Sequence, residues 1–232
     1  MHEFITYGKS DSKNIIIQPA DEHDLSLMES EAEEVQRLLK SDDFCILAYP
    51  VTDWNKELSP WEAPAVFGKE NFGSGAEDTL HIILDRVCNG EGISDLSMPA
   101  GRSERVMKGA DRKKYYLTGY SLAGLFSLWT AFQTDIFSGV VAASPSMWFP
   151  GFITYTKEHQ INTPNVYLSL GKKEEKTKNP VMRTVGDCIR QESEILKKQG
   201  INTILEWNEG NHFVDSDKRV ARGIAWMLGT AG

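Results

Sequence analysis

Residues 115–124 read Tyr115-Tyr116-Leu117-Thr118-Gly119-Tyr120-Ser121-Leu122-Ala123-Gly124. Tyr115 to Thr118 has the aromatic and β-branched composition of a strand. Leu122, Leu125, Phe126, Leu128 and Trp129 then fall at helical spacing. Between the two runs stands a serine with small residues on either side, Gly119 two before it and Ala123 two after. A strand that turns directly into a helix around a serine strains the serine backbone, crowds its neighbours and exposes the hydroxyl. The stretch therefore predicts a strand–turn–helix unit and, in Ser121, a nucleophile. The plainer alternative is a tight turn in which Ser121 only caps the helix.

Outward from this unit, strand-like and helix-like runs alternate, which predicts an α/β architecture with a mainly parallel sheet. Asn14 to Gln18 reads as a strand. Ser30-x-x-Glu33 has the form of a capping box, and Ala32, Val35, Leu38 and Leu39 continue it at helical spacing. Phe44 to Pro50 reads as a buried strand. A long loop from Thr52 to about Gly75 follows, and its Trp54, Trp61, Phe67 and Phe72 argue against disorder. Ala76 to Cys88 reads as a helix and Gly90 to Gly109 as a polar, irregular stretch. The helix after the turn runs to about Thr134, Phe137 to Ala143 is a strand, and Val166 to Leu170 another. Asn179 as cap, Pro180 at the first position and Gly200 at the end delimit a further helix. Thr203 to Trp207 is the last strand and Val214 to Leu228 the last helix. No repeat, low-complexity segment or linker divides the 232 residues, so one domain spanning 1–232 is expected.

The formal net charge of −8 and the lack of a basic stripe argue against a nucleic-acid-binding surface. The apolar stretch around Phe44 to Val51 is too short to cross a bilayer, and Met1-His2-Glu3-Phe4 does not open as a signal peptide does. Cys45, Cys88 and Cys188 are odd in number and far apart, and read as buried free thiols. No CxxC or paired-His spacing marks a metal site. Together these features predict a cytoplasmic protein that acts without a metal or organic cofactor; they leave its oligomeric state open.

A serine needs a base within hydrogen-bond reach, and the base needs a third group to orient it. In the α/β-hydrolase fold, which places a serine on such a turn, the partners follow in the order Ser, acid, His. Of five histidines, only His159 and His212 follow Ser121. His159 precedes the penultimate strand and reads as a surface residue. His212, just after the last strand in Glu209-Gly210-Asn211-His212-Phe213, is the expected base. The acid is expected after the strand ending Leu168-Ser169-Leu170-Gly171, where Glu174 and Glu175 both stand within a charged run; the three-residue offset from Gly171 favours Glu174. Oxyanion donors are expected from the backbone N–H of Leu122 and, from the loop after Pro50, of Val51 or Thr52, with Val51 preferred. Trp148 and Trp54 are candidates for the wall of a substrate pocket, or else pack a long loop on the sheet.

Four segments resemble the esterase branch of the α/β-hydrolases, which includes esterase D-like and ferric-enterobactin-esterase-like enzymes. They are Gly119-Tyr120-Ser121-Leu122-Ala123-Gly124, Ser144-Pro145-Ser146-Met147-Trp148, Gly171-Lys172-Lys173-Glu174-Glu175-Lys176 and Gly210-Asn211-His212-Phe213, and the likeness spans roughly residues 40 to 230. The resemblance implies an α/β-hydrolase fold with little or no cap. It also implies hydrolysis of a small-molecule carboxylic ester, with Ser121 as nucleophile, His212 as base, Glu174 as acid, and Tyr120 and Trp148 beside the substrate. Ala123 stands where the family's motif commonly ends in glycine. An acyltransferase and a non-catalytic binding protein on the same fold are the rival expectations.

Overall fold

The computed structural model describes residues 3–91 and 113–230. Their strands form one sheet in the order β1-β3-β2-β4-β5-β6-β7. The strands are β1 (Ile5–Gly8), β2 (Asn14–Ala20), β3 (Cys45–Pro50), β4 (Lys114–Tyr120), β5 (Phe137–Ala143), β6 (Asn165–Gly171) and β7 (Asn202–Asn208). All neighbours pair parallel except β1, which runs antiparallel along β3 at the edge. Parallel strands need covered faces, and the helices supply the cover. They are α1 (Glu22–Leu39), α2 (Trp54–Glu57), α3 (Ala76–Glu91), α4 (Ser121–Gln133), α5 (Phe152–Glu158), α6 (Val185–Lys198) and α7 (Ser216–Thr230).

Alternation along the strands sorts side chains between two cores. Ile15 and Ile17 join Leu117, Leu125, Phe126 and Ile189 on the face covered by α3, α4 and α6. Ile16, Tyr116 and Tyr120 point the other way, into the core beneath α1 and α7. The central helix α4 is buried along nearly its whole length, as its continuous apolar sequence requires.

Most expected elements are present within three residues of their expected bounds, and two helices start elsewhere. Helix α1 starts at Glu22, well before the Ser30 capping box, because Asp21 caps it by accepting from the Asp24 N–H at 2.9 Å. Ser30 lies inside the helix and donates instead to Asp217 on α7, 2.9 Å away. Asn179 does act as a cap, accepting from the N–H groups of Val181 and Met182, but the turn it starts is a 3-10 helix at Met182–Thr184 that leads into α6. Strand β1 and the short helix α5 had no legible signal, and the short helix α2 lies within the stretch read as a loop from Thr52 to about Gly75. Of the stretch expected to be irregular from Gly90, residues 92 to 109 lie outside the described residues. Cys45 and Cys88 are buried, Cys188 is half-buried, and all three are free thiols. Among the described residues no helix is long and apolar enough to cross a membrane.

One polar residue in the packing of α6 is left without support. Glu192 is fully buried, and neither carboxyl oxygen has a hydrogen-bond partner among the described residues. Burial pushes its carboxyl up to about 7, against a smaller opposing pull from the Thr156 hydroxyl, which itself donates to the Ile153 carbonyl. Below the ordinary carboxylate range both folded and unfolded chains hold this proton. As pH rises toward 7 the unfolded chain releases it first, so stability falls over that window and stays reduced above it. Glu192→Gln is expected to be nearly neutral at pH 4 and to stabilise the protein at pH 8 by up to about 3 kcal/mol. Thermal unfolding at the two pH values checks this; equal midpoints for parent and variant at pH 8 would contradict it.

Candidate active site

The turn at Ser121 has the expected geometry. Tyr120, the last residue of β4, is extended, whereas Ser121 takes a φ of +56° and opens α4 in the same step. A left-handed backbone at a non-glycine residue is strained and persists only where its surroundings enforce it. Here they do. A Cβ on Gly119 would stand 2.4 Å from the carbonyl carbon and oxygen of Ala123, and one on Gly124 would stand 3.0 Å from the Gly119 oxygen. The strand can therefore meet the helix only with glycine at 119. The Ser146 N–H braces the turn by donating to the Ser121 carbonyl at 3.0 Å.

The carboxyl ends of β4, β6 and β7 bring three side chains together. His212 Nε2 lies 3.0 Å from Ser121 Oγ, and His212 Nδ1 lies 2.7 Å from Glu174 Oε2. An ionised carboxylate only accepts, so Nδ1 carries the proton. In the neutral ring Nε2 is then the acceptor, and the Ser121 hydroxyl donates to it. Glu174 is 9% exposed. Burial pushes its carboxyl up, but the hydrogen bond and charge of His212, the Gly171 N–H at 2.7 Å and the Ser144 hydroxyl at 2.8 Å outweigh that. The net direction is down, so Glu174 is a carboxylate at neutral pH. Glu175 turns away and pairs with Arg190 on α6 at 2.8 Å. Of the two adjacent glutamates it is Glu174, three residues past Gly171, whose carboxylate lies at the imidazole.

Sequence reasoning missed three neighbours of this group. Arg219, on α7, is fully buried and pairs with Glu174 Oε1 at 2.9 Å. Ser144, at the end of β5, has a φ of +42° and gives its hydroxyl to the same oxygen. Ser146 holds its hydroxyl 3.5 Å from Ser121 Oγ. The two serines sit in Ser144-Pro145-Ser146, a segment that had been singled out without a role for either. Arg219 gave no signal, because an arginine between Lys218 and Arg222 on an amphipathic helix reads as solvated surface.

Other expected positions differ. The Val51 N–H is not free for an oxyanion: it donates to the Ala20 carbonyl at 2.9 Å, prolonging the ladder between β2 and β3. The next two N–H groups, of Thr52 and Asp53, both donate to the Glu57 carboxylate, at 3.0 and 2.7 Å. Leu122 lies in the first turn of α4, where N–H groups have no intrahelical acceptor. Tyr120 is not a pocket wall. It is 8% exposed, on the α7 side of the sheet, and its hydroxyl donates to the His212 carbonyl at 2.7 Å. Trp54 and Trp148 are half-buried against the main core, and Trp148 packs on Phe67 and Phe72 with ring centroids 5.9 and 6.0 Å away. His159 is exposed and stacks on Tyr155. No group of three or more His, Cys, Asp or Glu among the described residues is placed to hold a metal ion.

The packing at the turn gives a direct test. Gly119→Ala is expected to cost at least about 2 kcal/mol, since the added methyl meets backbone rather than a movable side chain. Gly229→Ala, in a helix with nothing within 4 Å of the new methyl, is expected to be neutral or slightly stabilising. Chemical denaturation of the two variants against the parent compares them; equal midpoints would contradict the close contact.

No family model matches the sequence, and no curated protein matches it. Solved structures do resemble it. An IroE-like serine hydrolase from Shewanella oneidensis superimposes with a TM-score of 0.67 at 14% identity, over 96% of this chain and 74% of that one. The siderophore hydrolase EstA from Aspergillus nidulans gives 0.66 at 19% identity, over 97% and 86%. Est1E from Butyrivibrio proteoclasticus gives 0.57 at 13% identity, over 97% and 92%. These likenesses, with the parallel sheet, its antiparallel edge strand and the serine turn after β4, show that the chain has the α/β-hydrolase fold.

Proposed function

We propose that the protein is a serine hydrolase that cleaves a carboxylic ester of a small molecule through an acyl-enzyme. The observation that carries this reading is the His212 imidazole, hydrogen-bonded at once to the Ser121 hydroxyl and the Glu174 carboxylate. Ser121 attacks the ester carbonyl as His212 Nε2 takes its proton. Glu174 keeps the ring in the tautomer that leaves Nε2 free and stabilises the imidazolium that forms. The imidazolium then protonates the departing alkoxide, and the acyl group stays on Ser121. Water, deprotonated by the same nitrogen, attacks the acyl carbonyl and releases the acid.

The tetrahedral oxyanion is received by the Leu122 N–H at the positive end of α4. Trp148, two residues beyond the Ser146 hydroxyl that faces Ser121, supplies a wall for the substrate. Phe213, which follows His212 and is 88% exposed, supplies apolar surface beside it. Two of the similar structures are named as hydrolases, which supports hydrolysis as the reaction class.

A fluorophosphonate probe is expected to label the parent protein and not Ser121→Ala. Hydrolysis across a series of acyl-chain lengths should fall by about 10⁴-fold or more in that variant. An active, labelled Ser121→Ala protein would refute the nucleophile. Glu174→Gln is expected to lower kcat by roughly 10²- to 10⁴-fold. Glu175→Gln should change it by less than about threefold, because its partner is Arg190, a largely exposed arginine on α6. The reverse ranking would move the acid to Glu175.

A further inference from the structure

Arg219 is among the largest fully buried side chains of the protein. Its guanidinium reaches the carboxyl ends of four adjacent strands. Nη1 lies 3.1 Å from Tyr120 Oη at the end of β4, 3.0 Å from Ser144 Oγ after β5, and 2.9 Å from Glu174 Oε1 after β6. Nη2 donates to the carbonyls of Glu209 and Asn211 after β7, at 2.9 and 2.8 Å. Those two carbonyls flank Gly210, whose φ is +91°, and the next side chain is His212.

A buried ion pair is weak evidence for stability, since apolar residues of the same volume often serve as well. A rigid, planar fork with five donors does something an apolar residue cannot: it fixes several acceptors relative to one another. Here the acceptors belong to the loop of the acid and the loop of the base. With Gly171 N–H and Ser144 Oγ, the guanidinium saturates Glu174 Oε1, so only Oε2 faces the imidazole. Through Tyr120, whose hydroxyl also donates to the His212 carbonyl, it grips the histidine's loop a second time, at His212 itself.

We propose that Arg219 is the positioning residue of this site, its buried guanidinium setting the distance between Glu174 and His212 by binding both of their loops. The proposal rests on the reading of Ser121, His212 and Glu174 as a catalytic group. It assigns Arg219 no contact with substrate, so its loss should act on kcat and spare KM.

Arg219→Lys keeps the charge and removes the fork. The variant is expected to stay folded by far-UV circular dichroism and to lose about 10²-fold in kcat with KM changed by less than about threefold. The downfield proton resonance of His212 Nδ1–H expected in the parent from its 2.7 Å contact with Glu174 should broaden or vanish. Adding Arg219→Lys to Glu174→Gln should cost less than about threefold beyond Glu174→Gln alone, because both changes break one arrangement. A kcat near the parent's with the resonance intact, or a further tenfold loss in the double variant, would overturn the proposal. If Arg219→Lys does not fold, Tyr120→Phe carries the test. It removes one strut of the frame and is expected to lower kcat about fivefold at constant KM with a broadened resonance; an unchanged kcat and resonance would overturn the proposal there. Failure of the parent to react with a fluorophosphonate would instead sink the hydrolase reading. The resonance, compared between parent and Arg219→Lys, would still decide the role of Arg219.

Discussion

The strained backbone of Ser121 is the constraint on which the rest of the site depends. A φ of +56° at a serine is tolerable only because β4 and α4 grip it from both sides, and that grip works only where backbone meets backbone. Gly119 and Gly124 make room for this contact, and Gly124 also brings the helix against the end of β5 at Ala143 and Pro145. The same approach draws Ser146 under the turn, where its N–H holds the Ser121 carbonyl. The strand ends then stand in register: β5 pairs with β4 through Tyr120 and Ala143, and β6 with β7 through Gly171 and Asn208. The acid and the base leave the sheet from that last pair. Their meeting over the serine follows from sheet order.

Local features were legible in the sequence and long-range ones were not. The serine turn, the order of strands and helices, His212 and the preference for Glu174 each depend on residues close together in the chain. The start of α1 was misread because Ser30 satisfies a capping pattern that Asp21 satisfies earlier, and the chain uses the first. Tyr120 was misassigned although its side was decodable: it shares parity with Tyr116, and alternation sends both toward α1 and α7. The Val51 N–H was misassigned because its acceptor, the Ala20 carbonyl, lies across the sheet. Arg219 was invisible for the same reason. Its partners lie 8 to 99 residues away in sequence, and no local pattern marks an arginine that folds inward.

Two buried carboxyl groups show how differently the interior treats ionisable side chains. Glu174 is ionised because three donors meet Oε1 and an imidazole meets Oε2. Glu192, more deeply enclosed, has no such company and holds its proton to about 7. Burial alone favours the neutral acid, and only a full set of donors reverses it. The protein spends its donors where the chemistry is proposed and leaves the other carboxyl uncompensated in the packing of α6.

Ser144 carries the same tension between backbone and side chain. Its left-handed φ of +42° suits glycine, while its hydroxyl donates to the acid. Glycine there would relieve the backbone and silence the hydroxyl. A lineage selected only for heat resistance would be drawn toward glycine at 144, and one held under demand for turnover would be drawn back to serine. The identity of that single residue in any descendant of this chain is therefore a record of which pressure it lived under.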